Sequence, residues 1–451
     1  MRRLFGTDGV RGIANEFLSC ERAMAIGRAL GHVLSSNHRY RPKVIIGMDT
    51  RLSSEMLASA VTAGLLSVGS DVMTLGVVPT PAIAYLVKKY KAKAGIMISA
   101  SHNPYEYNGI KVFGEDGFKL SDELEEQIES IVLDNTPPIK IADSCDIGKR
   151  YDATQALDDY VNYLIGTTDT RLDGLRVAID CSNGSASVTA ERLFTSLGAQ
   201  VHMIFDEPDG ININDNCGST HIEAVKKYVV ENKLEAGIAF DGDADRCLAV
   251  DECGNEIDGD FIMAILALDM KKKGLLNRNT VVGTVMSNFG FHKFCEENDI
   301  NFVAAKVGDR YVLEILNQEG YSFGGEQSGH VIIRSHATTG DGQLTALALL
   351  AHIKESGKTL RELSEVMKKY PQHMINIEAT QNQKIALFTD EEIKAMLSEA
   401  ENTLSGRGRL VVRPSGTEPL VRIMVECDDQ DETVKITESL AEKIKKRLAD
   451  Y

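Results

Sequence analysis

Three things are missing from this 451-residue chain, and each absence removes a class of function. Its eight cysteines, scattered from Cys20 to Cys427, form no CxxC pair. That excludes a cysteine zinc cage and a disulfide framework, and it suits a reducing cytoplasm. No apolar run approaches the ~18 residues of a membrane-crossing helix, so no membrane partner is expected. The longest candidate, residues 344–353, ends at Lys354 and reads as a buried helix. Finally, no Lys/Arg-rich stripe offsets a net charge of −17, which repels a polyanion and argues against nucleic acid. A small anionic substrate stays admissible, because a few local arginines can override the global field.

What is present fits a globular protein. Hydrophobic residues make up 43% and charged residues 25%. At roughly 100–200 residues per domain, three or four domains are expected. The opening MRRLFGTDGVRG lacks the apolar core of a secretion signal, and its Phe5-Gly6-Thr7-Asp8-Gly9 stretch reads as a structured turn.

A weak repeat organises the chain. Three times an apolar strand, a helical stretch and a second strand follow one another: Val44-Ile45-Ile46 to Asp71-Val72-Met73, Arg176–Ile179 to Gln200-Val201, and Val281-Val282 to Phe302-Val303. This alternation predicts parallel α/β sheets. Each copy then supplies a further strand ending in a polar, glycine-containing loop: AGIMISASHNP (94–104), AGIAFDGDADR (236–246) and YSFGGEQSGH (321–330). Ligands bind where loops leave the carboxyl ends of such strands, so three domains would each offer one loop to a common cleft. After Pro371 the pattern changes to helix 391–403, two strands and a C-terminal helix whose Ile436, Leu440, Ile444 and Leu448 make one apolar face. The expected domains are 1–155, 156–256, 257–370 and 371–451, the last a smaller α+β domain.

The loops carry the chemistry. In Asp241-Gly242-Asp243-Ala244-Asp245-Arg246 three carboxylates alternate, a donor set for a hard cation such as magnesium, calcium or manganese. A calcium loop of the EF-hand type competes, with Glu252 at its twelfth position. However, Arg246 stands where such a loop has glycine, and the flanks read as strands. Ser99-Ala100-Ser101-His102-Asn103-Pro104 offers a serine beside a histidine, or simply an Asn-Pro turn. Lys111 either returns towards that loop or lies exposed on a strand. No GxSxG elbow is present, which disfavours that type of hydrolase. Residues 324–330, GGEQSGH, suit hydrogen bonding to sugar hydroxyls, or form a tight turn. Arg413-Pro414-Ser415-Gly416-Thr417-Glu418-Pro419, with Arg422, makes an anion nest or a structural loop.

These four loops, in this order, resemble the α-D-phosphohexomutase superfamily, and the resemblance runs from FGTDGVRG (5–12) to RPSGTEP (413–419). It implies three related α/β domains with mixed sheets, plus the smaller C-terminal domain, around a central cleft. It implies that Ser101 is phosphorylated in the active enzyme. Asp241, Asp243 and Asp245 would ligate Mg2+ together with a phosphoserine oxygen. Glu326 and Ser328 would contact sugar hydroxyls, and Lys306, Gly308, Asp309 and Arg310 would help to recognise the substrate. Arg413, Ser415, Gly416, Thr417 and Arg422 would hold the non-reacting phosphate. Arg11, His102, Lys111, Arg246 and His330 match further cleft residues, with His102 and Lys111 as candidate proton-transfer groups. GEQSGH (325–330), KVGDRYV (306–312) and FGTDGVRG point to the glucosamine-phosphate branch. The implied reaction interconverts the 6- and 1-phosphates through a 1,6-bisphosphate, feeding cell-wall precursor synthesis. The partner is a small phosphosugar, and a homodimer is left open. The rivals are a mannose or glucose phosphomutase, a metal-dependent sugar phosphatase, and a binding protein without catalysis.

Overall fold

The computed structural model describes residues 3–6, 8–35, 41–415 and 419–451. Among the described residues four sheets follow one another. The first three share one strand order. In the first, parallel strands Lys43–Met48, Asp71–Val77 and Ala94–Ile98 are joined by antiparallel Tyr107–Gly114, which lies beside Ala94–Ile98. In the second, Arg176–Asp180, Gln200–Ile204 and Ala236–Phe240 take the same places, with antiparallel Cys247–Asp251. In the third they are Thr280–Thr284, Asn301–Ala305, Phe323–Gly325 and antiparallel Val331–Ile333. The mixed sheets and the repeat expected from the sequence are both present. Strands Val10–Ile13 and Arg150–Asp152 extend the first sheet, and Glu256–Ile257 extends the second.

The strands at the sheet centres are largely apolar, as strands covered on both faces must be. Ala94–Ile98, Ala236–Phe240 and Thr280–Thr284 are buried at every position. The helices have clear ends. Gly342–Ser356 starts where Asp341 accepts the Leu344 N–H, and it stops at left-handed Gly357. Such a cap stabilises a helix by about 1 kcal/mol. Among the described residues no helix is long and apolar enough to cross a membrane.

By contacts the chain forms two compact units: residues 1–284 with 301–365, and residues 285–300 with 366–451. The second unit holds a three-stranded antiparallel sheet in the order Gln372–Glu378, Leu420–Cys427, Gly408–Pro414. Helix Gln430–Leu448 covers it with Leu440, Ala441, Ile444 and Leu448; of the face read from the sequence, Ile436 is instead half-buried against Leu404, Val425 and Cys427. Three features differ from expectation, the first being the additional strand Gln372–Glu378. A second helix, Gln381–Thr389, precedes Glu391–Leu404, and it opens with a capping box in which Thr380 and Gln383 exchange hydrogen bonds. The helix Phe289–Glu297 belongs with the C-terminal residues, because Asn288 donates to the Tyr370 carbonyl and the Phe289 N–H donates to Glu426.

Candidate active site

In each of the first three sheets the polar loop joins the third parallel strand to its antiparallel neighbour. The three loops therefore leave equivalent strand ends, and within the first unit they meet. Ser101 lies in the first, at a left-handed φ of 54°. A non-glycine residue held there costs about 1–3 kcal/mol, so surrounding bonds must impose it. Its Oγ donates to Asp241 Oδ2 at 2.6 Å, and its N–H donates to Ser99 Oγ at 2.9 Å. His102 Nδ1 stands 3.4 Å from the same Oγ. Burial, with Arg246 and Arg11 nearby, pushes the His102 pKa down to about 4, so the ring is neutral at pH 7.

The acidic loop is buried. Asp241 Oδ1 accepts the Arg246 N–H, while Asp243 Oδ2 accepts both Thr80 Oγ1 at 2.6 Å and Lys111 Nζ at 2.7 Å. Burial, then the charges of Asp245 and Asp243, push the Asp241 carboxyl well above its usual range. Carboxylate oxygens of the three aspartates lie within 4.8 Å of one another. Asp243 Oδ1 and Asp245 Oδ1 are buried without a hydrogen-bond partner. Orphaned carboxylate oxygens of this kind fit a hard divalent cation, whose charge would compensate them. The EF-hand alternative fails. The loop joins two paired strands, and Glu252 accepts the Arg361 N–H instead of turning to the aspartates.

Lys111 does return to the loop, since Tyr107–Gly114 runs back along Ala94–Ile98. Its Nζ lies 2.7 Å from Asp243, 3.0 Å from Asp8 and 3.6 Å from Asp245. Burial opposes its charge, but Asp243, Asp8 and Asp245 together raise its pKa far above the usual value. These ion pairs hold Lys111 as a cation beside the acidic loop. Arg11 pairs with Asp8, and Arg246 Nε lies 3.9 Å from Asp245.

In the third loop, the Gly308 N–H donates to Glu326 Oε1 at 3.0 Å, and the Gly308 φ of 129° suits only glycine. Lys306 is exposed, with its Nζ 5.8 Å from the centre of the Tyr311 ring. Ser328 is exposed as well. His330 sits between Asp245 (3.6 Å) and Asp309 (3.7 Å). Burial opposes a charge on it, while Asp245 and Asp309 favour one and push its pKa to about 9. Its Nε2 lies 3.0 Å from the Gly340 N–H, and its Nδ1 faces Asp245. Two expected substrate groups are otherwise engaged. Asp309 binds Lys119, which also reaches Asp8. Arg310 binds Asp122, Glu125 and Glu314, so its guanidinium is a tie between elements and not a free charge for a ligand.

In the second unit, Arg413 and Arg422 stand directly opposite each other on adjacent strands. Burial and the Arg422 charge lower the Arg413 pKa. Like charges in that position repel, and an anion would remove the cost. The Ser415 N–H donates to the Leu420 carbonyl, and Lys384 Nζ donates to the Ser415 carbonyl at 2.7 Å. Gly416 and Thr417 lie outside the described residues.

Sequence reasoning missed Asp49, Arg51, Thr80, Asn214 and Lys384. Asp49 and Arg51 follow the first parallel strand in MDTR (48–51), at the same sheet edge as the polar loops. That position was a usable signal. The others are brought in only by the tertiary fold.

A serine bonded into a buried carboxylate trio, with two arginines paired on adjacent strands of the C-terminal sheet, is an arrangement suited to handling a phosphoryl group on an α/β fold. Family models of the phosphoglucomutase/phosphomannomutase type match nearly the whole chain: domain I at residues 2–138, domain II at 158–254, domain III at 258–370 and the C-terminal domain at 374–443. The chain is 52% identical to a phosphoglucosamine mutase of Acetivibrio thermocellus, over 99% of this chain and 100% of that one. It is 51% identical to a phosphoglucosamine mutase of Clostridium tetani, again over 99% and 100%. A phosphoglucomutase/phosphomannomutase family structure from Burkholderia thailandensis shares the fold with a TM-score of 0.81 at 22% identity, covering 100% of this chain and 98% of that one. An Aspergillus fumigatus N-acetylphosphoglucosamine mutase, solved with GlcNAc-6P and magnesium, matches with a TM-score of 0.68 at 15% identity, over 99% and 96%. The chain belongs to the phosphoglucomutase/phosphomannomutase family of the α-D-phosphohexomutase superfamily, and it is an isomerase of that class.

Proposed function

We propose that this enzyme interconverts glucosamine 6-phosphate and glucosamine 1-phosphate through phosphorylated Ser101 and a 1,6-bisphosphate. The observation that carries the reading is Ser101 Oγ at 2.6 Å from Asp241, inside a trio with two unpartnered carboxylate oxygens. A phosphate ester of serine persists in water until a positioned acceptor arrives, which suits a carrier that must be reloaded. The names of the relatives at about 50% identity support the amino sugar as substrate.

Asp241, Asp243 and Asp245 would hold Mg2+, which when bound offsets charge on phosphoryl oxygens. The chain's own residues do the rest. Lys111 and Arg246 add fixed positive charge beside the serine, and preorganised charge of this kind supplies much of the catalysis in phosphoryl transfer. Glu326, its carboxylate oriented by the Gly308 N–H, and Ser328 are assigned to sugar hydroxyls or the amine. Arg413 and Arg422 are assigned to a phosphate of the substrate. An isomerisation assay comparing glucosamine, mannose and glucose phosphates tests the substrate. Net release of inorganic phosphate without isomer exchange would indicate a phosphatase instead.

A further inference from the structure

Ser101 is gripped at both of its peptide groups, and both grips trace back to one buried carboxylate. Asp49, at the end of the first parallel strand, has both oxygens in use. Its Oδ2 accepts Ser99 Oγ at 2.7 Å and Arg51 Nε at 2.7 Å. Its Oδ1 accepts Ser54 Oγ at 2.8 Å and the Arg51 N–H at 3.1 Å. Ser99, oriented by that bond, accepts the Ser101 N–H on the same Oγ. Arg51, oriented by the same carboxylate, sends a guanidinium N–H to the Ser101 carbonyl at 2.7 Å, and a second nitrogen to the carbonyls of Pro104 and Tyr107. Both Asp49 and Arg51 side chains are fully buried.

A second donor reaches the Ser101 carbonyl from the next domain. Asn214 Nδ2 lies 2.9 Å from that oxygen and 3.1 Å from the Asn103 carbonyl. Ser182 holds the Asn214 amide by donating to its Oδ1 at 2.7 Å. Two donors on one carbonyl use both of its lone pairs and fix the plane of the 101–102 peptide. The Ser99 bond fixes the plane of the 100–101 peptide. Two fixed planes define φ and ψ at the residue between them, and here they define the left-handed φ of 54°. A β-carbon on such a residue points where a right-handed backbone would not send it, and in this case Oγ meets Asp241.

We propose that Asp49, Arg51 and Asn214 are the positioning residues of Ser101. They hold the serine in a left-handed conformation, so that its oxygen is aimed at the acidic trio in every state of the cycle. This deepens the mutase reading and rests on it. None of the three reaches the reacting atoms; each acts on the backbone of the carrier. A carrier that both gives and receives a phosphoryl group needs one geometry for both directions, and a side chain free to turn would lose it.

The test compares Asn214→Ala and Arg51→Lys with the wild type. First, the wild-type protein must isomerise glucosamine 6-phosphate and carry phosphate on residue 101; if it does neither, the mutase reading fails and not the positioning one. With that established, both variants should keep the wild-type far-ultraviolet spectrum and lose kcat by about a hundredfold, the penalty of a misplacement near 1 Å. KM should move by no more than about threefold, because ground-state binding is untouched. The phosphoserine 31P resonance should shift or broaden. Wild-type kcat in folded Asn214→Ala would overturn the proposal, as would kcat and thermal stability falling together with an unmoved 31P signal. Hydrogen exchange on the wild-type protein gives an independent reading that needs no variant to fold. The Ser101 amide should exchange as slowly as the core amides of Ala94–Ile98, and rapid exchange would overturn the proposal.

Discussion

Thr80 and Asp243 are bonded twice: the Thr80 hydroxyl donates to Asp243 Oδ2 at 2.6 Å, and its N–H donates to the Asp243 carbonyl at 2.9 Å. Thr80 starts helix Thr80–Lys89 of the first domain, so a helix end in one domain orients a carboxylate in the next. Removing such an outer partner costs about 10–100-fold in metal affinity. Thr80→Val keeps the shape and loses the bond. The Mg2+ concentration for half-maximal activity should rise about tenfold, with activity recovered at saturating metal. Prior chelation should abolish activity in both proteins, and added Mg2+ should restore it.

Gly242 lies against the Ser101 carbonyl. A β-carbon there would sit 2.6 Å from that oxygen and 2.9 Å from Asn214 Nδ2. Gly242→Ala should therefore push the serine loop and the acidic loop apart, lowering kcat by about a hundredfold. Steady-state kinetics on the folded variant check this.

Arg413 and Arg422 trade stability for binding. Replacing Arg413 by alanine removes a like-charge pair, so the thermal midpoint should stay level or rise. Substrate affinity should fall, raising KM. Arg413→Lys should rescue only part of it, since lysine lacks the planar fork that pairs with phosphate.

His292 makes the second unit acid-sensitive. Its Nε2 faces Arg409 at 3.1 Å, and burial, then that charge, depress its pKa to about 4 from 6.5. Between those values the unfolded chain binds a proton that the folded one refuses, so stability is lost as the pH falls from about 6.5 towards 4. His292→Gln cannot titrate. Its midpoint should decline less than that of the wild type between pH 7 and pH 5, measured by calorimetry.

The repeat was legible because each copy carries its own local pattern, an apolar strand, a helix and a polar loop after the third strand. The three aspartates stood out by their alternation, whereas Ser101 and Arg413 gained weight only because the four loops occur together and in order. The rest depended on distant pairings. Thr80 meets Asp243 across 163 residues of sequence, and Asn214 meets Ser101 across 113. No local spacing encodes such a meeting. Arg310 shows the converse: its motif suggested a ligand contact, but Asp122 and Glu125, nearly two hundred residues earlier, take up its charge. Helix Gln381–Thr389 was readable from its Thr380/Gln383 box, and its weak apolar pattern hid it.

The central claim is that Ser101 carries the phosphoryl group. Intact-protein mass spectrometry with peptide mapping, paired with an isomerisation assay on glucosamine 6-phosphate, tests it most directly. The active enzyme should carry one phosphate on Ser101, and Ser101→Ala should show neither phosphate nor turnover. Normal turnover by Ser101→Ala, or a fully active enzyme with no phosphate on residue 101, would contradict it.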